Sequence, residues 1–274
     1  PSEAELDVLR QLPRAEREDE ALEMAQREIR KPFELESGHL FRLRLFRVGD
    51  REHIAILAMH HIVSDYWSVR VFMEQTLTAY LSIRSGEDVQ IDAPPVQYGD
   101  FAVWQREQLQ GEKLDRLNEY WRRKLKDAPR LILGSDRPRP QRPSFEGGTE
   151  VISFPREITE AIAVFCRREN TTPFTVMLAA FQILAARCSN QDDIVLGTTS
   201  ANRYRPELEK LIGFFAAPLV VRTDLSGNPT FHQALRRTRQ ALLGAYAHQE
   251  LPFSKVVQAA HPGRQSSYTP LFQV

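Results

Sequence analysis

The sequence predicts an α/β fold divided between two lobes, and three observations carry that prediction. The chain has 274 residues, which is long for one hydrophobic core and comfortable for two. Segments with the apolar pattern of strands alternate with segments of helical periodicity. Proline and glycine interrupt both patterns over residues 127–148. We therefore expect a first lobe at 1–128, a crossover at 129–148 and a second lobe at 149–274.

The first lobe is expected to hold a hairpin between helices. Residues 40–48 alternate largely apolar residues with arginine and turn at Gly49-Asp50 into a fully apolar strand at 53–59, which is typical of a hairpin. Three helices are predicted from charge pattern or from i, i+3, i+4 spacing, at residues 16–30, 69–81 and 102–126.

The second lobe is expected to alternate strands and helices. Thr172 and Pro173 supply an N-cap and a first-turn proline. Three strands are predicted: one that begins with residues 150–154, one at 193–199 and one at 214–223. Three helices are predicted: one at 158–168, one that starts at Pro173 and one at 231–247.

Composition excludes several classes of function. Lys plus Arg equals Asp plus Glu at 36 each, so no net charge draws the chain to nucleic acid or to an anionic membrane. No apolar run approaches the roughly 20 residues that cross a bilayer, and the first residues lack signal-peptide character. We expect a cytoplasmic protein with the 42% hydrophobic and 26% charged content of a globular one.

The two cysteines, Cys166 and Cys188, lie on predicted helices among apolar neighbours and are expected to be free thiols. The sequence contains no CxxC pair and no glycine-rich phosphate loop. It therefore predicts neither a metal site nor a redox pair.

A pair of histidines followed by an aspartate is the strongest chemical signal. His60 and His61 come directly after the predicted buried strand, and Asp65 precedes the helix. A histidine held at a strand end is suited to act as a general base. The alternative is that both histidines are ordinary half-buried residues and that Asp65, with Ser64, only caps the helix. Spacing alone leaves both interpretations open.

Residues 59–68, Met-His-His-Ile-Val-Ser-Asp-Tyr-Trp-Ser, resemble the HHxxxDG signature of condensation domains from nonribosomal peptide synthetases. Five further segments resemble later motifs of that family in the family's order: 98–104, 197–203, 212–222, 248–253 and 269–274. The connectors at 31–35 and 136–140 also fit.

The resemblance implies two chloramphenicol-acetyltransferase-like lobes, arranged as a V-shaped pseudodimer with a tunnel between them. The family's two opening motifs have no counterpart in this sequence, so the first lobe is expected to be N-terminally incomplete.

The resemblance also implies the reaction, in which the amine of a carrier-bound acceptor attacks a carrier-bound donor thioester and forms an amide. Substrates would arrive on the phosphopantetheine of carrier domains, and the domain itself would bind no cofactor. The expected partners are upstream and downstream peptidyl carrier domains and an adjacent adenylation domain.

Roles follow from the resemblance residue by residue. His61 would accept the amine's proton or stabilise the ammonium, with His60 as an orienting or merely packed neighbour. Asp65 would pair with an arginine near the start of the first lobe. The tunnel would be lined by Tyr66, Trp67, Ser68, Asn202, Arg203 and Ala217. An ion pair between the lobes is an equally weighted alternative role for Arg203.

Two departures from the family pattern favour a second function. Tyr66 stands where the motif has glycine, and Ala216-Ala217-Pro218 replaces Val-Asn-Thr. The alternative is a catalytically impaired relative that recruits proteins to the assembly line. An epimerase is disfavoured because its Glu-Gly-His-Gly motif is absent, and a heterocyclising relative would carry aspartate in place of His60 and His61.

Overall fold

The structure is a computed structural model that describes residues 9, 12–36, 38–134, 147–260 and 268–274. Its helices are α1 (Arg14–Arg30), α2 (Tyr66–Ser85), α3 (Tyr98–Gln108), α4 (Gly111–Lys124), α5 (Arg156–Arg168), α6 (Pro173–Ser189), α7 (Phe231–Ala247) and α8 (Phe253–Ala260). Its strands are β1 (Phe41–Arg47), β2 (His53–Met59), β3 (Asp193–Ser200) and β4 (Ala217–Asp224). The α/β prediction is confirmed. Most of the predicted crossover, with the connector at 136–140, lies outside the described residues.

The chain divides into two compact units that are not continuous in sequence. Unit 1 comprises Pro1–Tyr98 and Arg203–Phe215, and unit 2 comprises Gly99–Asn202 and Ala216–Val274. This division differs from the predicted lobes in two segments. Residues 99–128 were predicted in the first lobe and belong to unit 2, and residues 203–215 were predicted in the second lobe and belong to unit 1. Helix α4 belongs to unit 2 because its apolar face is buried in that unit's core, where Trp121 also donates from Nε1 to His248 O at 3.1 Å.

Unit 1 is built on the predicted hairpin. Strands β1 and β2 pair antiparallel from Phe41 opposite Met59 to Arg47 opposite His53. Phe46 on the hairpin packs in the same buried cluster as Ala21 of α1. The hairpin therefore gives β2 a fixed end at Met59, from which the histidines follow.

Helix α2 begins and ends with capping residues that the sequence supplies. Asp65 is extended, and its side chain accepts from Ser68 N, which satisfies one of the first-turn donors. Gly86 ends the helix at φ 74°, a left-handed conformation that glycine adopts without steric cost. The aspartate of the histidine motif is thus also the helix cap that its spacing predicts.

Unit 2 packs helices against the antiparallel pair β3 and β4, whose register runs from Asp193 opposite Asp224 to Ser200 opposite Ala217. Helix α7 has the predicted bounds and begins with a capping box between Thr230 and Gln233. The shared core of these elements is apolar and includes Ile194, Leu196, Val221, Ala241 and Leu242.

Two predicted elements of unit 2 were wrong. Residues 150–154 form no strand, and Val151 there is 84% exposed, because no strand in the described residues pairs with the segment. The predicted helix at 102–126 is two helices, since the chain bends at residues 109–110 and Gly111, the first residue of α4, has a φ of 52°, outside the right-handed helical region.

Within the described ranges, no single helix is long and apolar enough to cross a membrane; α5 and α6, bent by 106°, meet the length and composition criteria only as a pair. The same ranges hold no group of three or more His, Cys, Asp or Glu side chains placed to bind a metal ion.

Candidate active site

The histidines lie in a tight turn between β2 and α2, within unit 1. His60 N donates to Leu40 O at 2.9 Å, which continues the hairpin by one residue. Val63 N and Ser64 Oγ then both donate to His60 O, at 3.1 and 3.3 Å. The backbone of the turn is therefore fixed by local hydrogen bonds before either imidazole is considered.

The two imidazole rings have opposite hydrogen-bonding roles. His61 Nδ1 lies 2.6 Å from Ser64 O, and a carbonyl oxygen only accepts, so Nδ1 carries the proton. In the neutral ring, Nε2 of His61 is then the acceptor. His60 Nδ1 instead accepts from Ile62 N at 3.1 Å, and its ring meets Phe33 edge-on at 5.9 Å. His61 is exposed and presents a basic nitrogen, whereas His60 is packed and bonded to backbone.

Asp65 is buried and accepts on both carboxylate oxygens. Oδ1 accepts from Ser68 N at 2.8 Å, from Ser68 Oγ at 2.7 Å and from Arg203 Nη2 at 3.2 Å. Oδ2 accepts from Phe215 N at 3.1 Å. The carboxylate therefore joins the start of α2 to the segment at 203–215, so its role extends beyond capping.

Ser68 is fully buried beside Asp65, in the first turn of α2. Its Oγ contacts Asp65 Oδ1 and Gly213 O, to which it donates, and it accepts from Gly213 N and Arg203 Nη2 at 3.0 Å each. A hydroxyl has one proton, so it donates to one of its two acceptors at a time. Ser68 is therefore part of the hydrogen-bond network around Asp65, and its place along a tunnel stays a prediction.

Arg203 supplies the cation that Asp65 needs. Its Nη1 donates to Leu208 O and, at 2.9 Å, to Leu211 O, so the guanidinium also ties together its own segment. Its Cζ lies 4.1 Å from the centroid of the Phe215 ring. Burial lowers the pKa of Arg203, and the adjacent Asp65 opposes that shift. The arginine predicted beside Asp65 was one near the start of the first lobe, before the first residue of this sequence; in the structure Arg203, from a different segment, pairs with Asp65.

Tyr98, the first residue of α3, contacts the same segment that holds Asp65 and Ser68. Its hydroxyl donates to Phe214 O at 3.0 Å, and its ring meets Phe215 edge-on at 5.0 Å. Burial, followed by the Asp65 charge, raises the pKa of Tyr98 above its ordinary value of 10.0, so the phenol remains a donor at neutral pH. Position 213 requires glycine, because a Cβ there would lie 2.2 Å from the Tyr98 ring.

The other predicted lining residues have different positions. Tyr66 is 90% exposed on the first turn of α2, and Trp67 donates from Nε1 to Glu209 O at 2.8 Å. In unit 2, Asn202 is buried at φ 54° with its N donating to Ser200 Oγ, and Ala217 pairs with Ser200 across the sheet. Their place along a tunnel stays a prediction.

Sequence reasoning missed the parts played by Gly213, Phe214, Phe215 and Tyr98. All four lie in segments that resemble family motifs, but the spacing of residues within a motif does not indicate which backbone groups bond to Asp65 and Ser68. The glycine before two phenylalanines was the available signal of a close approach by an aromatic ring.

Comparisons with known proteins establish the family of the chain. A family model described as "Condensation domain" matches residues 2–274. This chain belongs to the condensation-domain family. The resemblance predicted from the motifs is confirmed, and with it the fold of a condensation domain.

The relatives of this condensation domain are peptide synthetases. The chain is 46% identical over 267 residues to a component of the linear gramicidin synthase of Brevibacillus parabrevis, and the match covers 97% of the chain and 3% of that component. It is 40% identical over 268 residues to phosphinothricin tripeptide synthetase PhsC of Streptomyces viridochromogenes, covering 97% of the chain and 25% of PhsC. The condensation domain thus spans a small part of the curated relatives it matches.

A solved structure with a similar fold is the X-domain from teicoplanin biosynthesis, with a TM-score of 0.83 and 29% identity over 94% of this chain and 58% of that one. The X-domain has also been solved in complex with OxyB, and that copy matches with a TM-score of 0.83 and 28% identity, covering 93% of this chain and 57% of that one.

Proposed function

We propose that this condensation domain forms an amide between a carrier-bound donor acyl or peptidyl thioester and the amine of a carrier-bound aminoacyl thioester. The observation that supports the proposal most directly is the His61 ring, whose Nδ1 is committed to Ser64 O and whose Nε2 is left basic. A free imidazole nitrogen on an exposed side chain is what a proton acceptor for an amine requires.

The proposed reaction consists of amine attack followed by loss of the thiol. The acceptor amine attacks the donor thioester carbonyl, a C–N bond forms, and His61 Nε2 takes a proton from the attacking nitrogen. The C–S bond then breaks, and the sulfur of the donor's phosphopantetheine takes up the proton held on His61 Nε2, so that a thiol leaves and the imidazole returns to its neutral form. Positioning of the two substrates supplies much of the rate gain in such a reaction.

Both substrates are expected to arrive on phosphopantetheine arms of peptidyl carrier domains, with an adenylation domain in the same synthetase loading the acceptor. Membership of the family and relatives such as linear gramicidin synthase support this context. The domain's own residues provide the base and the scaffold that holds it.

Replacement of His61 tests the proposal. In the intact synthetase that contains this chain, we expect His61→Ala to lower the rate of amide formation between two loaded carriers by about two to four orders of magnitude. His53→Ala is the matched control, since His53 is an exposed histidine of the same hairpin outside the turn. Undiminished turnover by His61→Ala, with an unchanged circular dichroism spectrum, would refute the role of His61 as the base.

A second candidate is a protein-recruiting platform without condensation activity. The likeness to the X-domain, which has been solved in complex with OxyB, favours it, as does the exposed Tyr66 where the family motif has glycine. Tyr66→Gly separates the two functions. A parent that makes no amide and is not rescued by Tyr66→Gly supports the platform, whereas an active parent supports condensation.

A further inference from the structure

We propose that Phe214 is the positioning residue that fixes the His61 imidazole for proton transfer, an inference that rests on the proposed amide-forming function. The two ring centroids lie 4.6 Å apart with the planes inclined at 49°. That separation is within the range of favourable aromatic pairs. The contact joins two segments of unit 1 that are more than a hundred residues apart in sequence.

His61 needs a second restraint because its hydrogen bond fixes only one ring atom. A single hydrogen bond at Nδ1 tolerates small changes in χ1 and χ2, and Nε2, on the far side of the ring, moves with them. A second ring in contact with the imidazole reduces this freedom. The hydrogen bond and the Phe214 contact together set the direction of Nε2, which neither does alone.

Phe214 is suited to this task because its backbone is held on both sides and at its own carbonyl. Gly213 N donates to Ser68 Oγ at 3.0 Å, and Phe215 N donates to Asp65 Oδ2 at 3.1 Å. Tyr98 OH donates to Phe214 O at 3.0 Å. The side chain itself is 39% exposed and carries no buried anchor of its own. Its position is therefore set by the main chain.

Through this arrangement the buried Asp65 influences the position of the His61 imidazole. The described hydrogen-bond donors to Asp65 are Ser68, Arg203 and Phe215, whereas His61 Nδ1 bonds to Ser64 O. The Asp65 carboxylate holds the Phe215 amide, which places Phe214 against the imidazole. The aspartate and the second histidine of the motif are thus linked through a residue outside the motif.

Leucine at position 214 tests the inference because it keeps an apolar side chain and removes the ring. Since a misplacement of about 1 Å costs up to about 100-fold in rate, we expect Phe214→Leu to lower kcat about 10-fold to 100-fold with KM changed less than about 3-fold. Phe214→Tyr, which keeps the ring, should restore kcat to within about 3-fold of the parent. Phe181→Leu is the control, since Phe181 is similarly exposed at 38% but lies in unit 2.

Nuclear magnetic resonance of the His61 ring protons gives a readout that needs no turnover. The Phe214 ring current should displace these resonances, so Phe214→Leu should shift them while Phe214→Tyr and Phe181→Leu leave them in place. Unshifted resonances, or an unchanged kcat in an active Phe214→Leu enzyme, would overturn the inference. Failure of the proposed function is recognised separately, by full turnover of His61→Ala or by a parent that makes no amide, and the resonances then still decide whether Phe214 contacts the His61 ring.

Discussion

The guanidinium of Arg203 donates from Nη2 to Asp65 Oδ1 at 3.2 Å across 138 residues of sequence, and the two side chains are only 1% and 2% exposed. Removal of two charges from water is costly, and their mutual attraction offsets this cost only where other hydrogen bonds complete the site. Here Ser68, Phe215 and the carbonyls of Leu208 and Leu211 supply such bonds, and only the Arg203 Nε among the guanidinium nitrogens is without a hydrogen bond in the described residues. The pair is therefore a joint between two segments of unit 1.

Loss of both partners of this joint should cost less than the two single losses added together. Asp65→Asn removes the charge that faces the buried Arg203 guanidinium, and Arg203→Met removes that guanidinium from the buried Asp65 carboxylate; each is expected to lower the free energy of unfolding by about 3 to 5 kcal/mol. Urea denaturation measures this free energy of unfolding. The double variant should lose less than the sum of the two single losses, and strict additivity would show that the two side chains do not interact.

Ser68→Ala should weaken the same joint without altering its charges. The variant deletes a buried hydroxyl that bonds Gly213 and Asp65, and it is expected to cost about 1 to 3 kcal/mol in the free energy of unfolding. Ser85→Ala, at the exposed last residue of α2, is the matched control and should stay within about 0.5 kcal/mol of the parent. Equal stability of the two variants would contradict a structural role for the Ser68 hydroxyl.

Gly213→Ala should displace the Tyr98 ring, because the added Cβ would lie 2.2 Å from it. Overpacking of this kind costs about 1 to 3 kcal/mol, and we expect the thermal midpoint to fall accordingly. Gly99→Ala provides the comparison, since a Cβ at this helical position meets no atom within 4 Å. The steric argument fails if Gly213→Ala is as stable as Gly99→Ala.

Glu28 should make unit 1 sensitive to acid. The hydrogen bond from Lys31 lowers the pKa of this buried carboxyl below its ordinary value of 4.5; burial opposes the shift, and Arg44 and Arg42 reinforce it. Because the folded-state pKa is depressed, the contribution to stability is present above about pH 4.5 and is lost as pH falls through the folded value. Urea titrations between about pH 7 and about pH 3 should show a smaller acid loss for Glu28→Gln than for the parent.

Glu23→Gln is the control for this measurement, since Glu23 is an exposed carboxylate of the same helix. It should follow the parent curve. A Glu28→Gln curve parallel to the parent's would show that Glu28 does not contribute to the acid loss.

The features that the sequence predicts well are local. The Asp65 cap, the hairpin and the bounds of α7 depend on residues close in sequence and were all confirmed. The arginine beside Asp65 was expected near the start of the first lobe, whereas Arg203 fills that place in the structure. A pairing across 138 residues leaves no periodicity in the sequence, and the proton positions on His60 and His61 depend on backbone atoms that spacing does not locate.

The discontinuity of unit 1 constrains how the protein is made and how it can be recombined. During synthesis the histidine turn leaves the ribosome well before Arg203–Phe215, so Asp65 acquires its counter-ion only after the intervening residues of unit 2 have been translated. A chimera joined once, between Tyr98 and Gly99, would take the histidine turn from one parent and the segment that holds it from another. A graft that preserves the site has to carry Arg203–Phe215 together with residues 1–98.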